Sequence, residues 1–421
     1  MSLRNPRVGR LVAAALVVGL AARLAFALLY WQGKPLTHDE QEYLALALNL
    51  AAGRGYAREL PGLPAGPTVE VFSRAPLYPY VLAAWFAATG HSTARLPPSV
   101  PASIQVLQAL WSLLTIYLVS RLAARAAGPT AGVVAAWLAA LYPPLVWNGA
   151  YALSESLYSP LVLGCAWIAG LILDRPDAHP DPADPRRAFL AGGLAGVAAL
   201  ARSAALVYVP LVAAWLVWRR RWRLAAGLVL GAMMIVGPWA LRNTLVHGRL
   251  IVVAADGGIT FWTGNHRWAI GEGDMAANPR IKADHAEFRG RLEHLSPEAR
   301  EPYYYAAAFD YIRDHPGAWL ALLMRKAVYT WVPFGPSYTL HSPRYFWASV
   351  LSYLPLLLLA AAGVPRLLRS PWRPRALGLL VASSVLVCLV FFPQERFRLP
   401  VIDPALCVAA AAWIAGRSAR I

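Results

Sequence analysis

Three carboxylates fall within four residues at Asp39, Glu40 and Glu42, with His38 just before them and Tyr43 just after. Such a cluster can take a proton from an attacking hydroxyl or hold a divalent cation, and His38 adds a nitrogen ligand. Part of it has a plainer use. Thr37 with Glu40 three residues on has the spacing of a capping box, and acidic residues in a helix's first turn contribute about 0.3–1 kcal/mol each. Asp39 is not needed for that box. A further acidic residue, Glu155, stands in Tyr151-Ala152-Leu153-Ser154-Glu155-Ser156-Leu157-Tyr158. A structural pairing with a basic side chain explains it, and so does a place in the same cavity as Asp39. Arginines form the third group: Arg74 in Ser73-Arg74-Ala75-Pro76-Leu77-Tyr78-Pro79, Arg202, and the pair Arg396 and Arg398 in Gln394-Glu395-Arg396-Phe397-Arg398-Leu399-Pro400. Snorkelling or interfacial anchoring accounts for any one of them. Taken together beside carboxylates, they suit an anionic head group.

These residues must be positioned by membrane helices. The chain of 421 residues is 58% hydrophobic and only 14% charged, with a mean hydropathy of +0.45, too apolar for an ordinary soluble globule. Runs at 11–31, 102–119, 131–147, 153–173, 224–241, 345–364 and 377–392 each approach the roughly 20 residues needed to cross a bilayer core. Two shorter runs, 188–200 and 204–218, read as a tight hairpin, and a last run follows Val401. The formal charge of +17 does not indicate a nucleic-acid partner, because the basic residues sit in short segments between apolar blocks. That is the positive-inside pattern. Cys165, Cys388 and Cys407 all lie within apolar runs and build neither a disulfide framework nor a zinc motif.

Arg4, Arg7 and Arg10 place the N-terminus in the cytoplasm, with the first helix uncleaved. Arg121 and Arg125, the segment 175–187, the four arginines of 218–223, and Arg366 with Arg369, Arg373 and Arg375 then fall on the same side. This requires about ten spans, with residues 32–101 as a first external loop, along which 77–88 lies on the membrane. Residues 242–344 form a large external loop whose last part, 316–332, is interfacial. The expected division is a membrane module over 1–241, the external region 242–344 and C-terminal helices over 345–421. The acidic and arginine groups all fall on the external side. The large loop adds Asp256-Gly257-Gly258-Ile259-Thr260-Phe261-Trp262-Thr263-Gly264-Asn265-His266, suited to a turn that approaches a ligand and equally to a plain surface hairpin. Tyr303, Tyr304, Tyr305, Phe309 and Tyr311 read as an interfacial belt. No phosphate-binding P-loop or dinucleotide fingerprint is present.

In order and spacing these motifs resemble the polytopic GT-C glycosyltransferases, specifically the bacterial family 39 proteins related to protein mannosyltransferases and lipid A aminoarabinose transferases. The resemblance covers nearly the whole chain. It rests on D-E-x-x-Y at Asp39, Glu40 and Tyr43, R-x-P-L-Y-P at 74–79, E-x-L-Y at 155–158, Arg202, Arg242-Asn243, Gly264-Asn265 and R-F-R-L-P at 396–400. It implies an all-α polytopic fold with a mixed external loop, in the bacterial inner membrane with its site on the periplasmic side. The implied activity is transfer of a sugar, with inversion, from a polyprenyl-phosphate donor to a lipid, glycan or protein acceptor. Asp39 is then the expected base, with Glu40 and Glu155 as further catalytic carboxylates. Tyr43, Arg74, Tyr78, Arg202, Asn265, His266, Arg396 and Arg398 are the expected substrate-binding residues. No cofactor is firmly implied. A divalent metal would fall to His38, Asp39 and Glu40, with His266 in reach, but Ser73 stands where aminoarabinose transferases carry a metal-binding acid. Apart from membrane lipids, the expected partners are the donor and the acceptor. The alternatives are a lipid-linked sugar flippase, which would place ionisable residues at mid-membrane, and an inactive family partner.

Overall fold

The computed structural model describes residues 6–56, 74–90, 95–175, 181–273, 275–335 and 342–418. In chain order the helices are α1 (Pro6–Ala25), α2 (His38–Ala51), α3 (Leu77–Thr89), α4 (Ala102–Ala127), α5 (Pro129–Leu141), α6 (Pro143–Trp147), α7 (Glu155–Leu173), α8 (Asp184–Ala201) and α9 (Tyr208–Trp218). They continue with α10 (Trp222–His247), α11 (Gly257–Gly264), α12 (Pro279–Arg291), α13 (Pro297–Asp314), α14 (Pro316–Trp331), α15 (Pro343–Arg369), α16 (Arg375–Val390), α17 (Glu395–Arg398) and α18 (Ile402–Ser418). No strand occurs among the described residues. The described residues of the segment 242–344 form helices joined by turns and irregular segments.

Five helices are long and apolar enough to cross a membrane alone: α1 with its π-helical continuation to Tyr30, α4, α7, α10 and α15. Helices α5 and α6 make a sixth, bent by 63° at their junction. The remaining apolar runs form the shorter α8, α9, α16 and α18. The bend has a chemical cause. Pro143 and Pro144 have no N–H for the carbonyls of Ala139 and Ala140 four residues back. Arg23 of α1, 1% exposed, supplies the missing donors, to Ala139 O at 3.0 Å and Ala140 O at 2.9 Å. A buried arginine is thus spent on backbone groups that a bilayer could not satisfy.

The apolar core joins α1, α4, α5, α7, α8, α9, α10, α15, α16 and α18. Small residues let the helices approach closely, as packing within lipid requires. A Cβ on Gly192 of α8 would stand 1.8 Å from the Leu228 carbonyl of α10, and one on Gly231 of α10 would stand 2.2 Å from that of Phe189. Of the expected hairpin of 188–200 and 204–218, the start of the second run, Ser203–Val207, packs on α8, whereas the glycine face commits α8 mainly to α10 and α7, and α9 packs mainly on α10.

The two ends of the bundle differ in chemistry. At one end Arg175 and Arg187 pair with Asp181 and Asp184, and Arg375 donates to Leu173 O at 2.7 Å. At the other end, the starts of α2, α7 and α11, the ends of α8 and α16, and α17 surround a cavity. Helices α11, α12 and α13 form a small separate cluster around Trp262, Ile281, Tyr304 and Ala308. Segment 256–266, which the sequence allowed to be a hairpin, is mostly the helix α11. Tyr304, expected in an interfacial belt, is 4% exposed in that cluster, whereas Phe309 is exposed.

Candidate active site

The helical phase of α2 sorts its acidic residues. Thr37 caps the helix, and Glu40 returns the bond by accepting from Thr37 N at 2.7 Å. The other oxygen of Glu40 accepts from Ala152 N at 3.0 Å, tying α2 to the segment before α7. Glu40 is 1% exposed and does not line the cavity. Asp39, Glu42 and Tyr43, spaced i, i+3 and i+4, share a different face. Asp39 and Tyr43 line the cavity, of about 450 Å³, together with Arg74, Glu155, Tyr158, Arg202, Asp256, Thr260 and Arg396.

Two arginines converge on Asp39. Arg74 reaches one carboxylate oxygen at 2.5 Å and donates to Glu42 at 2.7 Å, with its guanidinium 5.2 Å from the centre of the Tyr43 ring. Arg396, oriented by Gln394 at 2.9 Å, bonds the other oxygen. Burial works against ionising Asp39, but Arg396, His38 and Arg74 outweigh it and hold the carboxyl well below the usual carboxylate range. Arg202, at the end of α8, pairs with Glu155 at 2.7 Å and lies over the Phe397 ring. Tyr43 donates to Ser154, the residue before Glu155, at 3.1 Å. The structure thus brings Asp39, Arg74, Glu155, Arg202 and Arg396, which arise far apart in the chain, around one opening. Apolar side chains of Leu206, Val207, Val387, Phe391 and Phe392 line its flank.

Four other expected site residues stand elsewhere. Tyr78 is buried behind Tyr43, edge-on to its ring, and donates to Gln108 at 2.8 Å. Arg398 is buried, donates to Asp403 at 3.0 Å and lies over the Tyr353 ring. Asn265 is 1% exposed; it donates to the Val390 carbonyl that ends α16 and accepts from Lys326 at 2.9 Å. His266 faces Asp284 at 3.3 Å across a second hollow, on the other side of α11. Burial pushes its pKa down to about 4 despite that carboxylate. Glu42 stood in the acidic cluster of the sequence but was assigned no role of its own, although its i+3 spacing from Asp39 was a usable signal. Asp256 was named only as part of a glycine-rich segment.

Among the described residues, one group has the donor atoms for a metal ion: His38, Asp39 and Glu42, within 4.8 Å of one another. Glu42 rather than Glu40 completes it, and Ser73 lies outside the described residues. The carboxylates of this group already hold Arg74 and Arg396, so a divalent cation would have to displace guanidinium groups. His38, Asp39 and Glu42 could therefore take a cation only in exchange for those arginines.

No family model matches the chain, and no curated protein matches it. Solved structures do. An Archaeoglobus fulgidus oligosaccharyltransferase tethered with an acceptor peptide aligns over 97% of this chain and 50% of its own, at 14% identity and a TM-score of 0.60. The same archaeal enzyme, AglB, in complex with an inhibitory peptide and a dolichol-phosphate, aligns over 97% and 50%, at 14% identity and 0.57. ArnT from Cupriavidus metallidurans bound to undecaprenyl phosphate aligns over 99% and 79%, at 14% identity and 0.44. The chain has the GT-C fold of a polytopic membrane protein, and it spans about half the length of the archaeal chains.

Proposed function

We propose that the protein is an inverting glycosyltransferase that moves a sugar from a polyprenyl-phosphate donor to a lipid, glycan or protein acceptor at the outer face of a bacterial inner membrane. The observation that carries this reading is the convergence of Arg74 and Arg396 on Asp39 in one cavity, with the Arg202–Glu155 pair on its wall. The leaving group of such a donor is already a phosphate, and what it needs is cationic stabilisation as its bond to the sugar breaks. Three arginines fixed by carboxylates before the donor arrives supply this without reorganisation. The apolar flank suits the first isoprene units of the donor lipid. The dolichol-phosphate in the AglB structure supports a lipid phosphate as ligand.

Asp39 keeps a central place in this proposal, as the anchor that holds Arg74 and Arg396 towards each other. The base role that the family resemblance implies for it requires the donor phosphate to draw an arginine away first. A flippase is disfavoured, because the cavity carboxylates stand at the ends of helices rather than along a path through the bundle.

Binding to the purified protein tests the ligand class. A polyprenyl phosphate is expected to bind at least about tenfold more tightly than the matching polyprenol, since one charge-assisted hydrogen bond contributes about 1.5–3 kcal/mol. A double Arg74→Ala, Arg396→Ala variant should erase the difference. Equal affinity of the wild type for both lipids would remove the phosphate from the reading.

A further inference from the structure

Three carboxylic acids line the cavity among the described residues: Asp39, Glu155 and Asp256. Two are already engaged by guanidinium groups. Both oxygens of Asp39 hold arginines, and Glu155 holds Arg202. Asp256 has no ion-pair partner among the described residues. Its position makes that unusual, because it is the residue before α11, where an aspartate normally spends its side chain accepting the first free N–H groups of the helix. No such bond forms here. Glu301, reaching across from α13, accepts from Gly258 N at 2.6 Å instead. A remote carboxylate caps the helix and leaves the local one facing the cavity.

Resting on the transferase reading above, we propose that Asp256 is a catalytic residue: its carboxylate takes the proton of the acceptor hydroxyl as that oxygen attacks the sugar. The acceptor oxygen forms a bond to the anomeric carbon while the bond from that carbon to the phosphate oxygen breaks. The electron pair of the broken bond leaves with the phosphate, towards Arg74, Arg396 and Arg202, and the proton moves to Asp256. Nothing is oxidised or reduced.

The surroundings divide the labour. Burial is the largest influence on Asp256 and raises its pKa; Arg74, a hydrogen bond from its own backbone N–H and Arg202 oppose the rise, and Asp39 adds to it. From α13, Glu301 and Tyr305 also feel its charge, and Glu155 and Arg396 line the same cavity. Asp39 is shifted the other way. Two carboxyls in one site with opposed shifts mark different roles: the more acidic anchors the cations, and the more basic accepts the proton. Asp39 is on this account a positioning residue.

The test uses the full chain in vesicles with a labelled polyprenyl-phosphate sugar, comparing wild type, Asp256→Asn, Asp256→Glu and Asp39→Asn, with thermal stability and polyprenyl-phosphate binding measured on each. Asp256→Asn should lower kcat by about 10²-fold, lose the fall in rate at acid pH, and bind polyprenyl phosphate within about twofold of wild type. Asp256→Glu should retain that acid limb with reduced kcat, which keeps the test open if the asparagine variant is poorly folded. Asp39→Asn should weaken lipid-phosphate binding and keep the limb. The proposal is overturned if Asp256→Asn turns over at the wild-type rate with its acid limb intact, or if Asp39→Asn is the variant that loses it. A wild-type protein that binds polyprenyl phosphate but transfers nothing would bring down the transferase reading, and this role with it.

Discussion

Replacing Arg74 separates a phosphate clamp from an interfacial anchor. The guanidinium contacts Asp39 at 2.5 Å and Glu42 at 2.7 Å and lies over the Tyr43 ring. Glu42 is 4% exposed, so Arg74→Ala leaves a buried carboxylate short of its main cation. Breaking one side of a buried pair costs about 3–5 kcal/mol; since Arg74 itself is partly exposed and His38 lies 3.7 Å from Glu42, the lower end, about 3 kcal/mol, is expected. On turnover, losing one preorganised donor to a developing charge costs about 10²–10³-fold in kcat. Arg74→Lys keeps the charge but lacks the planar fork that reaches Asp39 and Glu42 together, so recovery should be partial in both stability and rate. The assay is a donor titration on the purified variants, with thermal unfolding in the same detergent. An alanine variant that reaches the wild-type rate at saturating donor would refute the clamp and leave Arg74 as a structural residue.

Three further outcomes follow from the geometry. Glu40→Ala should lower thermal stability, by about 1–3 kcal/mol for the cap and the bond to Ala152, with turnover at saturating donor within a few-fold; a 10²-fold loss in a folded variant would return Glu40 to the chemistry. Gly192→Ala should sharply reduce the yield of folded protein, because its Cβ meets a backbone carbonyl at 1.8 Å, whereas the same change at Gly193, with 3.8 Å to its nearest neighbour, should be tolerated; equal yields would contradict the packing of α8 on α10. His266 has a folded pKa near 4 and an unfolded one of about 6.5, so the unfolded chain binds more protons between those values. Stability should fall as pH drops through that window and His266→Gln should flatten the fall, so an unchanged slope in the melting profile would count against the buried neutral imidazole.

The fold class was largely legible, because runs of membrane-spanning length are a local property of the sequence. What escaped was geometry that a linear reading does not contain. Asp39 and Glu40 are neighbours, yet helical phase sends one to the cavity and the other into a cap. Arg396 and Arg398 are two residues apart on the single turn of α17, and Asp403 at the start of α18 claims the second. Asn265 and His266 stand beside each other at the end of α11 and serve different neighbours, Lys326 and Asp284. The helix at 256–266 resisted recognition because two glycines open it and its cap comes from Glu301, some 40 residues away in sequence. The glycines of α8 were visible as small residues in an apolar run, but only the structure shows that they select α10 over α9.

The most direct measurement follows a sugar label in vesicles that hold the purified protein, a polyprenyl-phosphate sugar and acceptors from a bacterial envelope extract. The account predicts that label leaves the polyprenyl phosphate for the acceptor fraction, at a rate that collapses in the double Arg74→Ala, Arg396→Ala variant. Label that crosses the bilayer while still attached to its polyprenyl phosphate, with none reaching an acceptor, would contradict the account and make the protein a transporter of the lipid-linked sugar.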